Sequence, residues 1–199
     1  MDTQQHSIKK EAETTFPVDP LIKKRWSPRA FSDRPVSEAA IATLFEAASW
    51  SASSYNEQPW SYRYAFRSDE AGFHRLLSCI NEGNRSWAQH ASVLVLSLAQ
   101  AHLDRSGKPN RHYFHDTGAA NTTLLLQAAS MDIYGHMMGG FDYEKTRAEF
   151  GLEEGLEPVC FMALGYLGSP EQLDEPLRSR EQGSRSRKSI EDFTHKINK

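Results

Sequence analysis

Several common signatures are missing from this 199-residue sequence. It has only two cysteines, Cys79 and Cys160, and their spacing fits neither a disulfide framework nor a metal motif. No run approaches the roughly 20 apolar residues of a membrane span. The polar start, Met1 to Glu13, lacks the apolar stretch of a secretory signal. We therefore expect a cytoplasmic protein without a membrane partner, whose thiols are reduced and buried.

Motifs of several functional classes are absent as well. No G-x-G-x-x-G follows a strand pattern, and neither a Walker loop nor a G-x-S-x-G elbow occurs. The net charge of -3 argues against a general nucleic-acid partner. His112, His115 and Asp116 could share a metal at a helix start, but further ligands at a recognisable spacing are missing. We therefore predict no metal site.

The composition is that of a chain with a substantial core. Hydrophobic residues make up 39% and aromatic residues 11% of the sequence, which suits one well-buried domain at this length. We expect a flexible segment over residues 1–18 and a single domain over 19–199. From Ser169 onward no core-forming pattern is visible, so residues 169–199 are predicted to be a C-terminal arm that is ordered by packing on something else.

Caps and periodicity predict a chain of helices and strands. Ser37 should cap a helix through about Trp50, and Asp142 should cap one through Phe150. The run over 92–99 is apolar throughout, which is typical of a central strand. The helix over 112–131 is apolar nearly all round, so it should be buried under the sheet or against a second subunit. The other predicted elements are helices over 20–24, 69–79 and 85–90, a turn over 81–84, and strands over 60–67, 133–138 and 157–167.

The stretch Ser53–Trp60, with the sequence SSYNEQPW, concentrates polar side chains between a helix and a strand. Amides carry a donor and an acceptor, which suits the edge of a planar heterocycle. Pro59 is expected to hold Gln58 extended and so to set the angle at which the loop enters the strand. The alternative is a purely structural polar turn with a packed Trp60.

Two basic clusters are candidates for binding an anion. Arg25, Ser27 and Arg29 alternate in an extended segment, so all three should lie on one face. Two guanidiniums and a hydroxyl suit a phosphate monoester. The second cluster, Arg185–Lys188, lies in the C-terminal arm. A solvated turn and a solvated tail are the respective alternatives.

Glycine and asparagine mark two further loops. Gly139–Gly140 lies between a predicted strand and a predicted helix, where a bare backbone N–H could approach a ring nitrogen. A tight turn is the alternative reading of that pair. Asn84 follows Gly83 and adds another amide.

In this order, these segments resemble the FMN-dependent nitroreductase family of NAD(P)H-linked flavoproteins. The resemblance covers roughly residues 20–195. The matching elements are RWSPRAF at 25–31, SSYNEQPW at 53–60, Gly83-Asn84 before Trp87-Ala88, GGFD at 139–142, ALGY at 163–166 and RSR at 185–187.

The resemblance implies an α+β fold with a mixed central sheet flanked by helices. It also implies an intertwined homodimer with an extended C-terminal arm and two FMN sites at the subunit interface. The phosphate and ribityl chain would be held by Arg25, Ser27 and Arg29 with the backbone near Trp26. Arg185 and Arg187 would add charge from the C-terminal arm. The pyrimidine edge would be bound by Asn84, the N5 and O4 side by backbone around Met138, Gly139 and Gly140, and one face by Ser53, Ser54 and Asn56 of the other subunit.

The resemblance leaves the substrate side less defined. Many relatives have Pro at Ala52, Glu at Gly139 and Lys at Trp87, and the last two changes should reshape the substrate pocket. The candidates for the substrate wall are Tyr55, Trp87, Tyr113 and Phe114, with core packing as the alternative for each. No side-chain acid or base is named, because the flavin carries the redox chemistry.

The implied activity is a ping-pong oxidoreductase reaction. NAD(P)H would reduce FMN, and a nitroaromatic, quinone or similar oxidised acceptor would take two electrons from it. The alternatives on the same scaffold are reductive dehalogenation, flavin reduction and oxidation of a bound heterocycle. Two others are a non-catalytic flavin-binding sensor or partner protein, and a protein without flavin whose basic clusters contact an anion or a partner.

Overall fold

The run of apolar residues at 93–100 forms the centre of the structure, a computed structural model that describes residues 10–197. Four strands make one sheet in the order β1-β2-β4-β3, and β2 is buried along nearly its whole length. A strand with both faces covered reads as continuous apolar sequence. The strands are β1 (Trp60–Phe66), β2 (Val93–Gln100), β3 (Tyr134–Met138) and β4 (Leu156–Gly165).

Helices cover both faces of this sheet. Alternate residues of a strand point to opposite faces, so Leu94 and Leu96 belong to one core cluster while Val93 and Val95 belong to the other. The helices are α1 (Pro20–Lys24), α2 (Glu38–Ser49), α3 (Glu70–Cys79), α4 (Glu82–Ala88), α5 (Tyr113–Ser130), α6 (Tyr143–Phe150) and α7 (Leu177–Gln182). Short 3-10 helices occur at Ser54–Asn56, Pro170–Gln172 and Ile190–Asp192.

The predicted α+β class with a helix-flanked sheet is confirmed. The expected mixed strand direction is not found in residues 10–197, where all three strand pairs are antiparallel. One reason is that α6 carries the chain from β3 back along β4, which reverses the strand direction at that edge. The expected intertwined dimer stays a prediction.

The predicted caps form as expected. The Ala40 backbone N–H donates to Ser37 Oγ at 3.2 Å, and the Lys145 N–H donates to the Asp142 carboxylate at 3.0 Å. α5 packs under the sheet, with Leu124 and Leu125 in the core. It is not buried all round, since Phe114 in its first turn is 48% exposed.

Two helices differ from the prediction. α4 begins at Glu82, where a turn was expected, because the backbone N–H groups of Asn84 and Arg85 both donate to the Asn81 carbonyl at 2.9 Å. That bonding starts a helix in spite of Gly83. α7 was not predicted, since its sequence LRSREQ shows no apolar face. Its buried residue is a glutamate, Glu181.

The chain after β4 packs on its own N-terminal third. Phe31 and Leu167 form an antiparallel bridge, and a side chain at Gly168 would lie 2.6 Å from the Phe31 backbone. Residues 1–9 of the predicted flexible segment lie outside the described part, whereas the Ala12 N–H donates to the Lys23 carbonyl at 2.9 Å. The domain boundaries stay predictions.

Two expectations about the cysteines and the helices can be compared with the structure. Cys79 and Cys160 are free and buried, as predicted. Between residues 10 and 197, no helix combines the length and the apolar character that crossing a bilayer requires.

Candidate functional site

A basic cavity of about 190 Å³ lies where the N-terminal segment, the residues after α1 and the C-terminal arm meet. Six of its ten lining residues are cationic and one is acidic. A partly enclosed surface of one sign concentrates ligands of the opposite sign. The lining residues, called the basic pocket below, are Lys10, Arg25, Trp26, Ser27, Arg29, Arg180, Glu181, Ser184, Arg185 and Arg187.

The structure brings the two predicted basic clusters together. Arg25, Ser27 and Arg29 line the pocket side by side, and Arg25 Nη1 donates to Ser27 Oγ at 3.5 Å. Arg185 and Arg187 of the arm line the same pocket. Partial burial lowers the pKa of Arg25, and the nearby charge of Arg187 lowers it further. Since arginine stays charged in proteins, this crowding of like charges favours a bound anion.

Arg185, which was expected to add charge to the site, also bonds the backbone around the pocket. Its guanidinium donates to the carbonyl oxygens of Lys10 and Lys23, each at 2.8 Å, and to that of Arg25 at 3.0 Å. Arg187 donates to the carbonyl of its neighbour Ser186. Both charges stay in the pocket wall, but three donor contacts of Arg185 go to the backbone.

Asn84 lies next to the glycine pair, as the resemblance implies. Its Nδ2 donates to the Gly140 carbonyl at 3.4 Å. A Cβ at Gly140 would come within 2.8 Å of that nitrogen, whereas a Cβ at Gly139 would have no described neighbour within 4 Å. Met138 is buried, with its side chain in the core. Glycine at 140 therefore permits the close approach of Asn84, and Gly139 leaves open space.

The loop over 53–60 is built from local contacts. The Gln58 N–H donates to Ser53 Oγ at 3.0 Å, and Gln58 Nε2 donates to the Asn56 carbonyl at 3.1 Å. Tyr55, Asn56 and Gln58 have φ values of 54°, 58° and 49°. The expectation that Gln58 would be extended is therefore wrong. The hydrogen bonds across this short loop hold its backbone in the left-handed region, which favours glycine.

The predicted contacts in that loop do not join the basic pocket of their own chain. Ser53, Ser54 and Asn56 are absent from its lining within residues 10–197. The Ser54 N–H instead donates to the buried carboxylate of Asp116 on α5, at 2.8 Å. This bond ties the loop to the first turn of α5.

Three of the four predicted substrate-wall residues lie near this tie. Tyr55 is 88% exposed, and the rings of Tyr113 and Phe114 lie 4.3 Å apart at the start of α5. Both elements are joined through Asp116, which places exposed aromatic rings in the loop and at the helix start. Their role toward a substrate stays a prediction.

The fourth, Trp87, is in the interior, and the interpretation as a pocket wall is wrong for this residue. It is 1% exposed, with its ring centre 4.7 Å from that of His136 and 5.9 Å from Arg29 Cζ. An exposed wall needs an accessible ring, and the fold of α4 turns this one into the core beside Phe31. Its Nε1 has no hydrogen-bond partner among the described residues. The alternative of core packing therefore holds.

Sequence reasoning missed His136. Its Nδ1 lies 3.0 Å from the Pro28 carbonyl, which can only accept, so Nδ1 carries the hydrogen. Burial lowers the pKa of His136 to about 4, and the charge of Arg29 acts in the same direction. The imidazole is therefore neutral at pH 7. A single histidine within a strand gives no sequence signal for this contact.

Four residues of the basic pocket were also missed, namely Lys10, Arg180, Glu181 and Ser184. Glu181 stands out because it is buried among cations. The alternating charges of RSRE at 178–181 are typical of a solvated tail, so nothing local marks the glutamate as an interior residue.

The His115 and Asp116 pair does not form a metal centre here. His115 Nδ1 lies 2.8 Å from one Asp116 oxygen, while the other accepts from the Ser54 N–H. No group of three or more His, Cys, Asp or Glu residues suited to a metal is found in residues 10–197. This pair instead serves the contact between the loop and α5.

Comparisons with known proteins identify the family of this chain. A sequence model described as the nitroreductase family matches residues 22–83 and 66–166. An uncharacterized 15.4 kDa protein of Mycolicibacterium smegmatis is 35% identical over 119 residues, which are 60% of this chain and 78% of that protein. A protein of Xanthomonas oryzae pv. oryzae, provisionally named NADH dehydrogenase/NAD(P)H nitroreductase, is 26% identical over 175 residues, covering 78% of this chain and 87% of its own.

Solved structures share the fold. The crystal structure of an oxidoreductase containing FMN superposes with a TM-score of 0.89 at 31% identity, covering 94% of each chain. A nitroreductase of Desulfovibrio desulfuricans, crystallised with FMN, gives a TM-score of 0.73 at 22% identity over 93% of this chain and 99% of its own. At that lower identity the second match supports the fold alone.

Proposed function

Since the chain belongs to the nitroreductase family, we propose that it is an FMN-dependent oxidoreductase. It would take hydride from NAD(P)H and pass two electrons to a nitroaromatic, quinone or similar oxidised acceptor, with both substrates using one pocket in turn. The observation that carries the proposal is the basic pocket, which gathers five of the residues predicted to bind the FMN phosphate, with Trp26, around one cavity.

The residues of the pocket fit a phosphate ester. Arg25 and Arg29 present guanidiniums, Ser27 presents a hydroxyl, and Arg185 and Arg187 add charge. Charge-assisted bonds from arginine to phosphate are about twice as strong as neutral ones. A ligand with a phosphate should therefore bind more tightly than the same ligand without it.

The residues near Gly140 fit a flat polar ring. Asn84 would offer its amide to the pyrimidine edge, and backbone at 138–140 would face the N5 and O4 side. The lack of a side chain at Gly139 would leave room beside the ring for nicotinamide or an acceptor. When bound, the flavin would supply the redox chemistry, while these residues orient it and exclude other poses.

The proposal includes a homodimer in the cytoplasm, with Ser53, Ser54 and Asn56 reaching the flavin of the other subunit. Their position outside the basic pocket of their own chain supports this arrangement. Tyr55 within this loop and Trp50 just before it are 88% and 82% exposed, so large apolar side chains are available there for a subunit contact.

The first experiment is cofactor reconstitution. The purified chain should bind FMN, quench its fluorescence and bleach when NADH or NADPH is added without oxygen. A nitroaromatic or a quinone should then restore the oxidised spectrum, and size-exclusion chromatography should give a dimer. Lack of FMN binding would refute the flavin proposal, and bound FMN that no nicotinamide reduces would favour a flavin-binding sensor.

A second candidate is another flavin reaction on the same scaffold. The open space at Gly139 changes the substrate side relative to the family pattern. Reductive dehalogenation, flavin reduction or oxidation of a bound heterocycle would use the same cofactor residues. Reoxidation of the reduced protein by a panel of acceptors, followed by stopped flow, separates these reactions.

A further inference from the structure

The C-terminal arm holds the basic pocket segment by its backbone. The contacts involve two charged side chains of opposite sign, Glu181 on α7 and Arg185 just after it. Their partners are main-chain groups between residues 10 and 30, from the other end of the sequence. The arm therefore holds this segment mainly through its main chain, while Arg25, Ser27 and Arg29 line the basic pocket with their side chains.

Glu181 accepts hydrogen bonds from backbone N–H groups of this segment. Its carboxylate accepts from the Arg29 N–H at 3.0 and 3.1 Å and from the Ala30 N–H at 3.1 Å, and it lies 4.0 Å from Arg29 Nη1. The residue is 2% exposed. A buried carboxylate is tolerated only when it is bonded and paired. These partners therefore account for a glutamate in the interior.

Arg185 donates hydrogen bonds to backbone carbonyl groups of the same region. It donates to the carbonyls of Lys10, Lys23 and Arg25 at 2.8 to 3.0 Å. Buried or half-buried carbonyls need such donors. The arm thus bonds the N–H groups of Arg29 and Ala30 at one end of segment 25–30 and the carbonyl of Arg25 at the other.

We propose that Glu181 and Arg185 are positioning residues, which fix the backbone of residues 25–30 so that Arg25, Ser27 and Arg29 present a preformed phosphate site. The inference rests on the proposed FMN function for the identity of the ligand. It assigns Arg185 to the backbone rather than to the phosphate. It also assigns a role to Glu181, whose negative charge does not suit the binding of an anion.

The removal of the Glu181 carboxylate should change FMN affinity in opposite directions, according to whether Glu181 acts through its charge alone or by positioning the backbone. If only net charge mattered, removal of the carboxylate would tighten FMN binding, because the pocket would become more positive. If Glu181 positions the backbone, Glu181→Ala should weaken FMN binding by about 10- to 100-fold, the range expected for losing charged hydrogen bonds. Glu181→Gln keeps an acceptor oxygen for both N–H groups and should restore affinity to within about 3-fold.

The readout is the ratio of the riboflavin and FMN dissociation constants, measured by fluorescence quenching. Riboflavin lacks the phosphate, so Glu181→Ala should lower this ratio by about tenfold while riboflavin affinity changes little. A merely structural defect would weaken both ligands equally. Glu191→Ala, which removes an exposed carboxylate of the same arm, is the matched control and should leave the ratio unchanged.

Amide hydrogen exchange of the ligand-free protein gives an independent test. The amides of Arg29 and Ala30 should exchange at least about tenfold faster in Glu181→Ala, because both lose their acceptor.

The arm arginines form a second matched pair. Arg185→Met should loosen residues 23–25. Arg187→Met should weaken FMN binding without changing exchange in that segment, because Arg187 donates to its own neighbour Ser186.

The outcomes separate the two proposals. If the wild-type chain binds FMN no more tightly than riboflavin, the proposed cofactor site fails. If the wild type prefers FMN but Glu181→Ala keeps the same ratio, or binds FMN more tightly, the positioning role is refuted and the cofactor proposal stands. Failure of Glu181→Gln to recover the ratio would also count against positioning by hydrogen bonds.

Discussion

The basic pocket and the loop over 53–60 are built in opposite ways. The pocket depends on bonds between residues far apart in sequence, such as Glu181 to Arg29, which are 152 positions apart. The loop is closed by bonds over two to five positions, and Asp116 on α5 holds it from outside. The pocket gathers its residues within one chain, whereas the loop presents polar groups and an exposed Tyr55 away from that pocket. The proposed dimer would join the two through a second subunit.

The largest effect on stability is expected at Trp60, where the loop over 53–60 enters the sheet. Trp60 packs against the core cluster formed by α2, α5 and the sheet. Trp60→Ala should lower the free energy of unfolding by about 3 kcal/mol, through lost burial and a cavity. Urea unfolding followed by circular dichroism measures this. A loss below about 0.5 kcal/mol would mean that the loop is not anchored by this ring.

Charge reversal in the pocket should act on binding instead. Arg29→Glu places a carboxylate beside Glu181 and opposes a phosphate, so FMN affinity should fall by at least about 100-fold. Fluorescence titration measures it, and Arg63→Glu on the exposed side of β1 is a matched control. Intact FMN binding in Arg29→Glu would show that the phosphate lies elsewhere.

Acid should lower the stability of the folded protein through the protonation of His136. The folded-state pKa of about 4 lies below the ordinary 6.5, so the unfolded chain takes up the proton first. Stability is therefore lost as the pH falls from about 6.5 to about 4, by roughly 3 kcal/mol at most.

The His136→Gln variant isolates this contribution from those of the carboxylates. Its midpoint of thermal unfolding should fall less steeply than that of the wild type over the same pH range. Parallel curves for the two proteins would contradict the assignment of a depressed pKa to His136.

The smallest effect on stability is expected at Asn56. Its positive φ favours glycine, so Asn56→Gly removes the side chain without adding backbone strain. The free energy of unfolding should change by less than about 1 kcal/mol, while FMN should be retained less well on dialysis. Asn56→Ala should show the same loss of FMN together with added strain. Full FMN retention in both variants would remove this side chain from the cofactor site.

Local signals in the sequence predicted much of the fold. The caps at Ser37 and Asp142 and the apolar run at 92–99 act over a few residues, and each formed as expected. Gln58 shows the limit of such reasoning. The restriction imposed by Pro59 is a preference, and a network of loop hydrogen bonds overrides it.

The candidate site was predicted in its side chains but not in its supports. Arg25, Ser27 and Arg29 were found because alternation puts them on one face, and all three line the pocket. Glu181 and His136 could not be found, since their partners are backbone groups at positions 28–30. Backbone partners carry no residue-type signal. For Trp87 the sequence left a pocket wall and core packing as alternatives, and its burial on α4 favours core packing.

The pairing of the arm with segment 25–30 also sets an order of events during synthesis. Arg29 leaves the ribosome long before Glu181 and Arg185, and all four strands lie between them. Contacts of such sequence separation form late in folding. We therefore expect the nascent chain to complete its sheet before it can retain a cofactor, so that only full-length molecules are loaded.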